Sequence, residues 1–174
     1  MAAAPPGITI VATGALAFGD GAPPEKTLRA IDADRMAGLL AVNTIGPALV
    51  AKHVLPLLPR DRRTVFACLS ARVGSISDNR LGGWHSYRAS KAALNMLVRD
   101  FAIEMRRTHP QAIVVALHPG TVDTALSHTF QRNLPEGQLT SPAQAAGHLL
   151  QVIDALTPQD SGGFFAWDGS AIPF

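Results

Sequence analysis

One tyrosine and one lysine are spaced so that they could handle a proton together. Tyr87 and Lys91 lie four residues apart, so on a helix their side chains share one face. A free phenol ionises near a pKa of about 10, and a neighbouring ammonium lowers that pKa by favouring the phenolate. The pair would suit a proton donor to a carbonyl or a proton acceptor from an alcohol. The same spacing also occurs by chance on exposed helices.

Two further polar residues stand where they could serve this pair. Ser70 directly follows the apolar run 64–69, and the carboxyl ends of parallel strands form the functional edge of an α/β sheet. Asn43 lies on the apolar face of a helical segment, and Pro47 has no N–H to bond the Asn43 carbonyl. A water bound to that carbonyl would suit a proton relay. A kinked helix with a core asparagine explains the same residues equally well.

The elements that position these residues alternate between strands and helices. Four short apolar runs predict buried strands, and amphipathic segments between them predict helices. The strands are predicted at residues 8–12, 64–69, 112–117 and 163–167, and the helices at residues 34–58, 86–107 and 142–156. Ser141 and Pro142 supply an N-cap and a first helical residue. This alternation predicts an α/β fold with a parallel sheet.

Composition favours a protein with one buried core and argues against a nucleic-acid-binding or membrane protein. The 174 residues, 47% hydrophobic and 16% charged, predict a single domain over residues 1–174. The net charge of +2 is a small excess of bases, and the basic clusters at residues 60–63 and 106–107 stand where helices end, so we expect no nucleic-acid binding. The apolar stretch 8–18 is too short to cross a bilayer. We therefore expect no membrane association and a cytoplasmic location.

Cysteine and histidine placement argues against metal or thiol chemistry. Cys68 is the only cysteine and lies within an apolar run, which favours a buried, unreactive thiol. The six histidines show no metal-ligand spacing, and we predict no metal site. His85 and His118 lie close in sequence to the candidate residues. Each is as well explained by a structural role as by substrate contact.

Two loops deserve separate interpretation. The turn at residues 13–21 follows a strand and carries glycines, but their spacing does not match G-x-G-x-x-G, and Pro23-Pro24 stands where a phosphate-binding helix would begin. We interpret it as a tight turn and not as a phosphate loop. In the loop 124–140, apolar residues could form a lid over an apolar substrate. The candidates for that lid are Leu126, Phe130 and Leu134.

Four segments of the chain occur in the order found in short-chain dehydrogenases/reductases. They are Val42-Asn43-Thr44, the strand that ends at Ser70, Tyr87-x-x-x-Lys91, and Pro-Gly-Thr-Val-Asp-Thr at residues 119–124. Within that family, residues 69–76 and 82–91 resemble the C-factor and sniffer-type carbonyl reductase branch. The resemblance extends over residues 8–174. It implies the C-terminal portion of a doubly wound, Rossmann-like sheet in three α/β/α layers.

The resemblance implies hydride transfer between NAD or NADP and a small-molecule carbonyl or secondary alcohol. Tyr87 corresponds to the general acid/base, and Lys91 to the residue that lowers its pKa and holds the nicotinamide ribose. Ser70 would steady the substrate oxygen, and Asn43 would hold the water that links Lys91 to solvent. The implied cofactor-binding residues are Gly14, Asn43, Tyr87, Lys91, Pro119, Gly120, Thr121, Val122 and Thr124.

Two departures from the family pattern carry expectations of their own. Ala71 stands where many members have a second serine, so Ser70 or Ser75 must serve, and we favour Ser70. The chain starts at what corresponds to the family's fourth strand, without the glycine-rich pyrophosphate loop and the residue that selects NAD or NADP. A sheet shortened in this way exposes a strand edge and apolar helix faces. We therefore expect a homo-oligomer that forms through that edge or those faces.

Two functions of different kinds follow from these expectations. The first is the catalytic part of a nicotinamide-dependent carbonyl reductase. The second is a non-enzymatic, truncated relative that acts as an interaction or signalling protein, because the C-factor branch is associated with cell–cell signalling. Binding of a nicotinamide nucleotide by the chain discriminates between them.

Overall fold

A four-stranded parallel sheet forms the centre of the fold, in a computed structural model that describes residues 5–18, 23–128, 130–131 and 138–174. The strands of this sheet lie in the order β1-β2-β3-β6, and β4 and β5 pair separately. The strands are β1 (Ile8–Val11), β2 (Thr64–Leu69), β3 (Ala112–His118), β4 (Thr121–Val122), β5 (Leu139–Thr140) and β6 (Phe164–Ala166). The α-helices are α1 (Ala33–Leu40), α2 (Gly46–Val54), α3 (His85–Arg106) and α4 (Pro142–Ala155).

Helices cover both faces of the sheet, as continuously apolar strands require. On one face, Phe66 and Val114 pack with residues of α2 and α3, including Leu94 and Val98. On the other face, Val65 and Ile113 pack against α4. These residue pairs are also adjacent in the sheet, since β2 and β3 align Val65 with Ile113 and Phe66 with Val114. The predicted α/β class with three layers is confirmed.

The predicted element boundaries hold to within one residue, with one exception. The segment expected as a single helix at residues 34–58 consists of α1, a π-helical turn at Ala41–Ile45, α2 and a 3₁₀ turn at Leu55–Leu57. At the end of the π turn, the Gly46 N–H bonds the carbonyl of Ala41, five residues earlier. Pro47 follows immediately and has no N–H to offer the regular pattern. One extra residue is thus accommodated where a kink was expected.

The same helical stretch, Ala33–Leu57, is the one candidate membrane span in the described part of the chain, by length and composition alone. Several of its apolar side chains, among them Leu39, Ala51 and Leu55, are buried in the fold. The core helix of a globular protein meets the same criteria of length and hydropathy. The stretch is therefore weak support for a membrane location.

The outer strand β1 pairs with β2 along one edge, and the ranges described contain no strand on its other edge. Ile8 and Ile10 of this strand are 42% and 39% exposed. Unpaired N–H and C=O groups beside apolar side chains are a template for further strand pairing. The exposed edge expected from the sequence is present, and the assembly through it remains a prediction.

The packing of the core predicts how the truncation of a buried side chain affects the free energy of unfolding. We expect Ile113→Val, which removes one methylene from a fully buried site, to lower the free energy of unfolding by about 0.5–1.5 kcal/mol. The matched control is Ile76→Val, because Ile76 is 77% exposed and its truncation leaves no cavity. Urea unfolding at constant m-value measures both. Equal midpoint shifts in the two variants would contradict the assigned core.

Candidate active site

A cavity of about 760 Å³ opens at the carboxyl ends of β1, β2 and β3, where parallel sheets bind ligands. Of the ten residues to which the family resemblance assigns a catalytic or cofactor-binding role, with Ser70 as the favoured serine, all except Asn43 line it. They come from four separate parts of the chain and meet because their strands run parallel. The nominated residues in the lining are Gly14, Ser70, Tyr87, Lys91, Pro119, Gly120, Thr121, Val122 and Thr124.

Tyr87 and Lys91 share one face of α3, as the spacing predicts, but burial decides their charge states. Burial raises the pKa of the Tyr87 phenol to about 12. The Lys91 ammonium lies 6.0 Å from the centre of the phenol ring. Loss of solvent disfavours the phenolate, and the expectation that Lys91 lowers the pKa of the phenol stays a prediction.

The Lys91 side chain is buried, and its ammonium donates a hydrogen bond of 2.9 Å to the Leu69 carbonyl at the end of β2. Burial lowers the pKa of Lys91 to about 8, and Cys68 has a smaller effect in the opposite direction. An ammonium has three donors, and the cavity is lined by this residue. Lys91 can therefore donate to a ligand while it remains tied to β2.

Asn43 lies behind the cavity, fully buried, and joins the segment after β1 to α3. Its amide oxygen accepts from the Ala15 N–H at 2.8 Å, and its amide nitrogen donates to the Ala15 carbonyl at 2.8 Å and to Ser90 Oγ at 3.0 Å. Ser90 in turn donates to the Tyr87 carbonyl at 2.8 Å. Because its side chain is committed to these partners, any water-binding role belongs to the Asn43 main-chain carbonyl, and that role stays a prediction.

The two candidate serines differ in location. Ser70 lines the cavity, but its hydroxyl donates to Asn95 Oδ1 at 2.7 Å. Ser75 is buried away from the cavity lining, with its hydroxyl donating to the Pro173 carbonyl. Ala71 lines the cavity without a hydroxyl. Of the two serines, only Ser70 can reach a ligand, and it must turn from Asn95 to donate a proton.

Glycine keeps the space beside the ammonium open. A Cβ at Gly14 would lie 3.4 Å from Lys91 Nζ and 3.5 Å from Asn43 Oδ1. The turn from β3 to β4 also lines the cavity, with Pro119 and Gly120. Donors and free volume therefore lie side by side, which is the arrangement that a hydroxyl-bearing ligand needs.

Several cavity residues were not identified from the sequence. α4 closes one wall with Pro142, Ala145, Ala146 and Leu149. Their spacing along one face of α4 was the available signal. Glu25 was also missed; it is buried against the first turn of α3, and the available signal was a helix start that lacks its own capping residue.

His118 ends β3 and lines the cavity as a neutral imidazole. Burial lowers its pKa to about 4, Arg72 lowers it further, and Asp168 opposes them. Its Nδ1 is buried and has no hydrogen-bond partner among the described residues. His85 is absent from the lining, so of the two histidines only His118 contacts the cavity.

The aromatic side of the cavity includes part of the expected lid. Trp84, Leu126 and Phe130 line it, and the Trp84 ring lies 5.4 Å from that of Phe130. Leu134 and residues 19–21 lie outside the described residues, and closure of the lid stays a prediction. After β1, residues 12–18 form no helix, in agreement with a turn.

Metal and thiol chemistry have no support in the described ranges. They contain no group of three or more metal-binding side chains that could hold an ion. Cys68 is buried, and burial raises the pKa of its thiol to about 12. A neutral thiol is a poor nucleophile, which agrees with its interpretation as a core residue.

The phenol makes a direct test of this site possible, because Tyr87 is the only tyrosine in the chain. We expect titration by ultraviolet absorbance to give a single pKa of about 12 in the folded protein. The same chain in denaturant should give about 10, the value of a solvated phenol. A folded-state value at or below about 10 would contradict the burial of Tyr87.

Comparison with known proteins identifies the family. The model of the family described as short chain dehydrogenase matches residues 11–135. C-signal of Myxococcus xanthus is 37% identical over 145 residues, covering 83% of this chain and 81% of that protein. The 1-hydroxy-2-glutathionyl-2-methyl-3-butene dehydrogenase of Rhodococcus sp. (strain AD45) is 38% identical over 140 residues, covering 80% of this chain and 59% of that protein.

Solved structures agree with this assignment. The carbonyl reductase Sniffer of D. melanogaster superposes with a TM-score of 0.80 at 25% identity, over 98% of this chain and 67% of that one. The NADPH-bound carbonyl reductase from chicken fatty liver gives 0.76 at 30% identity, over 90% of this chain and 64% of that one. This chain thus spans about two thirds of these reductases. The chain belongs to the short-chain dehydrogenase family.

Proposed function

We propose that this chain carries the catalytic residues of an NAD(P)-dependent oxidoreductase that interconverts a small-molecule carbonyl and the corresponding secondary alcohol. The observation that supports it best is the meeting of Tyr87, Lys91 and the turn at residues 119–124 around one cavity. A phenol and an ammonium supply the proton chemistry that carbonyl reduction needs. The relatives with oxidoreductase names support the same class of reaction.

The residues around the cavity fit the nicotinamide end of such a cofactor. The opening at Gly14 lies beside the Lys91 ammonium, which can donate to ribose hydroxyls. The residues proposed to border the nicotinamide carboxamide are Pro119, Gly120, Thr121, Val122 and Thr124, all in the cavity lining. When bound, the cofactor would supply or accept the hydride; the protein residues handle the proton.

In this proposal, Tyr87 donates its phenolic proton to the substrate oxygen as that oxygen gains negative charge. At neutral pH a phenol with a pKa of about 12 is fully protonated. It remains a far stronger acid than an alcohol, since even water ionises only near about 15.7. The buried phenol is therefore a competent proton donor in the site as described.

Lys91 and Asn43 are proposed to return a proton to the phenolate. The Lys91 ammonium lies on the same face of α3 as Tyr87, and its pKa of about 8 lets it release and regain a proton near neutrality. The proposed water bound to the Asn43 main-chain carbonyl would connect Lys91 with solvent. Ser70 is proposed to steady the substrate oxygen after its hydroxyl turns from Asn95.

The other wall of the cavity indicates the kind of substrate. Leu81, Trp84, Leu126 and Phe130 line it with apolar surface. Such a wall favours a carbonyl compound with an apolar substituent, because burial of that substituent stabilises the complex.

Nucleotide binding and a tyrosine variant test the proposed reaction together. We expect NADPH or NADH to quench the emission of Trp84 and Trp167 saturably, in the micromolar range. Tyr87→Phe should keep that binding and lower carbonyl reduction by about 100- to 10,000-fold, because the proton donor is lost while the ring remains. Ser70→Ala in the same assay tests the role of the hydroxyl.

Two outcomes would contradict the proposal in different ways. Full turnover in Tyr87→Phe would remove Tyr87 as the acid. No quenching at millimolar nucleotide would show that this chain does not bind the cofactor by itself. The second outcome would favour the other candidate function, an interaction or signalling role, which the 37% identity with C-signal of M. xanthus supports.

Self-association is also proposed, through the free edge of β1 or the apolar face of α2. Sedimentation equilibrium should show a concentration-dependent oligomer of this chain. Ile10→Lys puts a charge on the edge strand, where charges oppose strand pairing, and Leu49→Lys does the same on α2, where Leu49 is exposed. The variant that becomes monomeric identifies the surface. A wild-type chain that is monomeric at every concentration would contradict the proposal.

A further inference from the structure

A buried carboxylate meets the first turn of the helix that carries Tyr87. Glu25 is only 7% exposed, and Ser86 is fully buried. The Ser86 N–H donates to Glu25 Oε2 at 3.3 Å, and the Ser86 hydroxyl donates to Oε1. The Trp84 N–H donates to the Glu25 carbonyl. One residue from the segment after β1 therefore binds both the N-cap residue and the first turn of α3.

The start of α3 needs such a partner because it has no local cap. Its N-cap position is Trp84, whose side chain makes no capping hydrogen bond among the described residues, and its first turn contains no acidic residue. The first N–H groups of a helix lack partners within the helix, and its positive dipole end favours a negative charge. Glu25 supplies both the acceptor and the charge, from about 60 residues earlier in the chain.

The backbone before α3 adopts an unfavourable conformation that also needs support. Gly82, Gly83 and Trp84 have φ values of 63°, 66° and 51°. The left-handed region suits glycine, but it is strained for a residue with a bulky side chain. In this conformation the Trp84 ring lies 6.2 Å from the Tyr87 ring, edge to face. The strained residue therefore contacts the proposed proton donor directly.

We propose that Glu25 is a positioning residue for the reaction: it holds the left-handed entry and first turn of α3, and thereby sets Trp84 and Tyr87 on the cavity. This inference rests on the proposed function for its consequence in turnover. The predicted effect of Glu25 on the position of Tyr87 holds whether or not the chain turns over a substrate.

The charge state of Glu25 agrees with this role. Burial raises the pKa of its carboxyl, but the Ser86 hydroxyl, backbone N–H groups and the nearby His85 together lower it below the ordinary value. The carboxylate is therefore ionised at neutral pH. Charge-assisted hydrogen bonds of this kind are stronger than neutral ones.

The test compares two substitutions of Glu25 with the same two substitutions of Glu104, an exposed glutamate on α3. Glu25→Gln keeps an oxygen acceptor without the charge, and Glu25→Ala removes both. Glu104→Gln and Glu104→Ala are the matched controls, because Glu104 is exposed on α3. The primary readout is the absorbance titration of Tyr87, the only tyrosine, which needs neither cofactor nor substrate.

We expect Glu25→Ala to lower the pKa of Tyr87 by about one unit or more, toward about 10, because a released first turn admits water to the phenol. Glu25→Gln should retain most of the wild-type value, and the Glu104 variants all of it. An unchanged Tyr87 pKa in folded Glu25→Ala would overturn the inference. Equal decreases in the Ala and Gln variants would also overturn it, since loss of charge alone would then explain the effect.

Two further measurements cover the remaining cases. If Glu25→Ala does not fold, as judged by circular dichroism, Ser86→Ala replaces it. Removal of the hydroxyl that donates a hydrogen bond to Glu25 should lower the Tyr87 pKa, and no change would overturn the inference.

Where reductase activity is present, Glu25→Gln should lower kcat less than Glu25→Ala, with the KM for the nucleotide unchanged. Turnover that changes while the Tyr87 titration does not would leave the proposed function standing and overturn the positioning role.

Discussion

The buried side-chain amide of Asn43 is the interaction on which the arrangement of the cavity depends. It pairs with both the N–H and the carbonyl of Ala15 and reaches Ser90 on α3. An amide buried without partners costs about 1–3 kcal/mol, so satisfaction of its bonds selects one placement of the two segments. That placement puts Gly14 against the Lys91 ammonium and leaves an opening where a Cβ would otherwise stand.

The same burial sets the charges of Tyr87 and Lys91. A dry environment disfavours both ions, so it raises the pKa of Tyr87 and lowers that of Lys91. Burial therefore favours the uncharged form of each group, the phenol of Tyr87 and the amine of Lys91. The Leu69 carbonyl stabilises the fraction of Lys91 that stays an ammonium. The pKa values of Tyr87 and Lys91 thus depend more on the burial of the two side chains than on the distance between them. A bound cofactor would change that exposure, and with it both pKa values.

The sequence predicts much of this fold because its signals are local. Continuous apolar runs mark β2 and β3, and parallel strands bring residues such as Ser70 and Pro119 to one edge without knowledge of any contact. The π turn, the raised pKa of Tyr87 and the cap from Glu25 depend on tertiary packing. Neither helical periodicity nor spacing encodes how deeply a side chain is buried or which distant carboxylate lies at a helix end. For that reason the residues that line the cavity were predictable and their electrostatics were not.

The segment after β1 holds α3 at two points on either side of Tyr87. Ser86 binds Glu25, and Ser90 binds Asn43, which in turn binds Ala15. Because Ser86 and Ser90 are one helical turn apart, the two attachments fix both the rotation and the height of the intervening phenol. Proton transfer requires the phenol within hydrogen-bond reach of the substrate oxygen, and a displacement of about 1 Å can lower a rate about 100-fold. Polar attachments on both sides of Tyr87 therefore hold the phenol in the way that the proposed proton transfer would require.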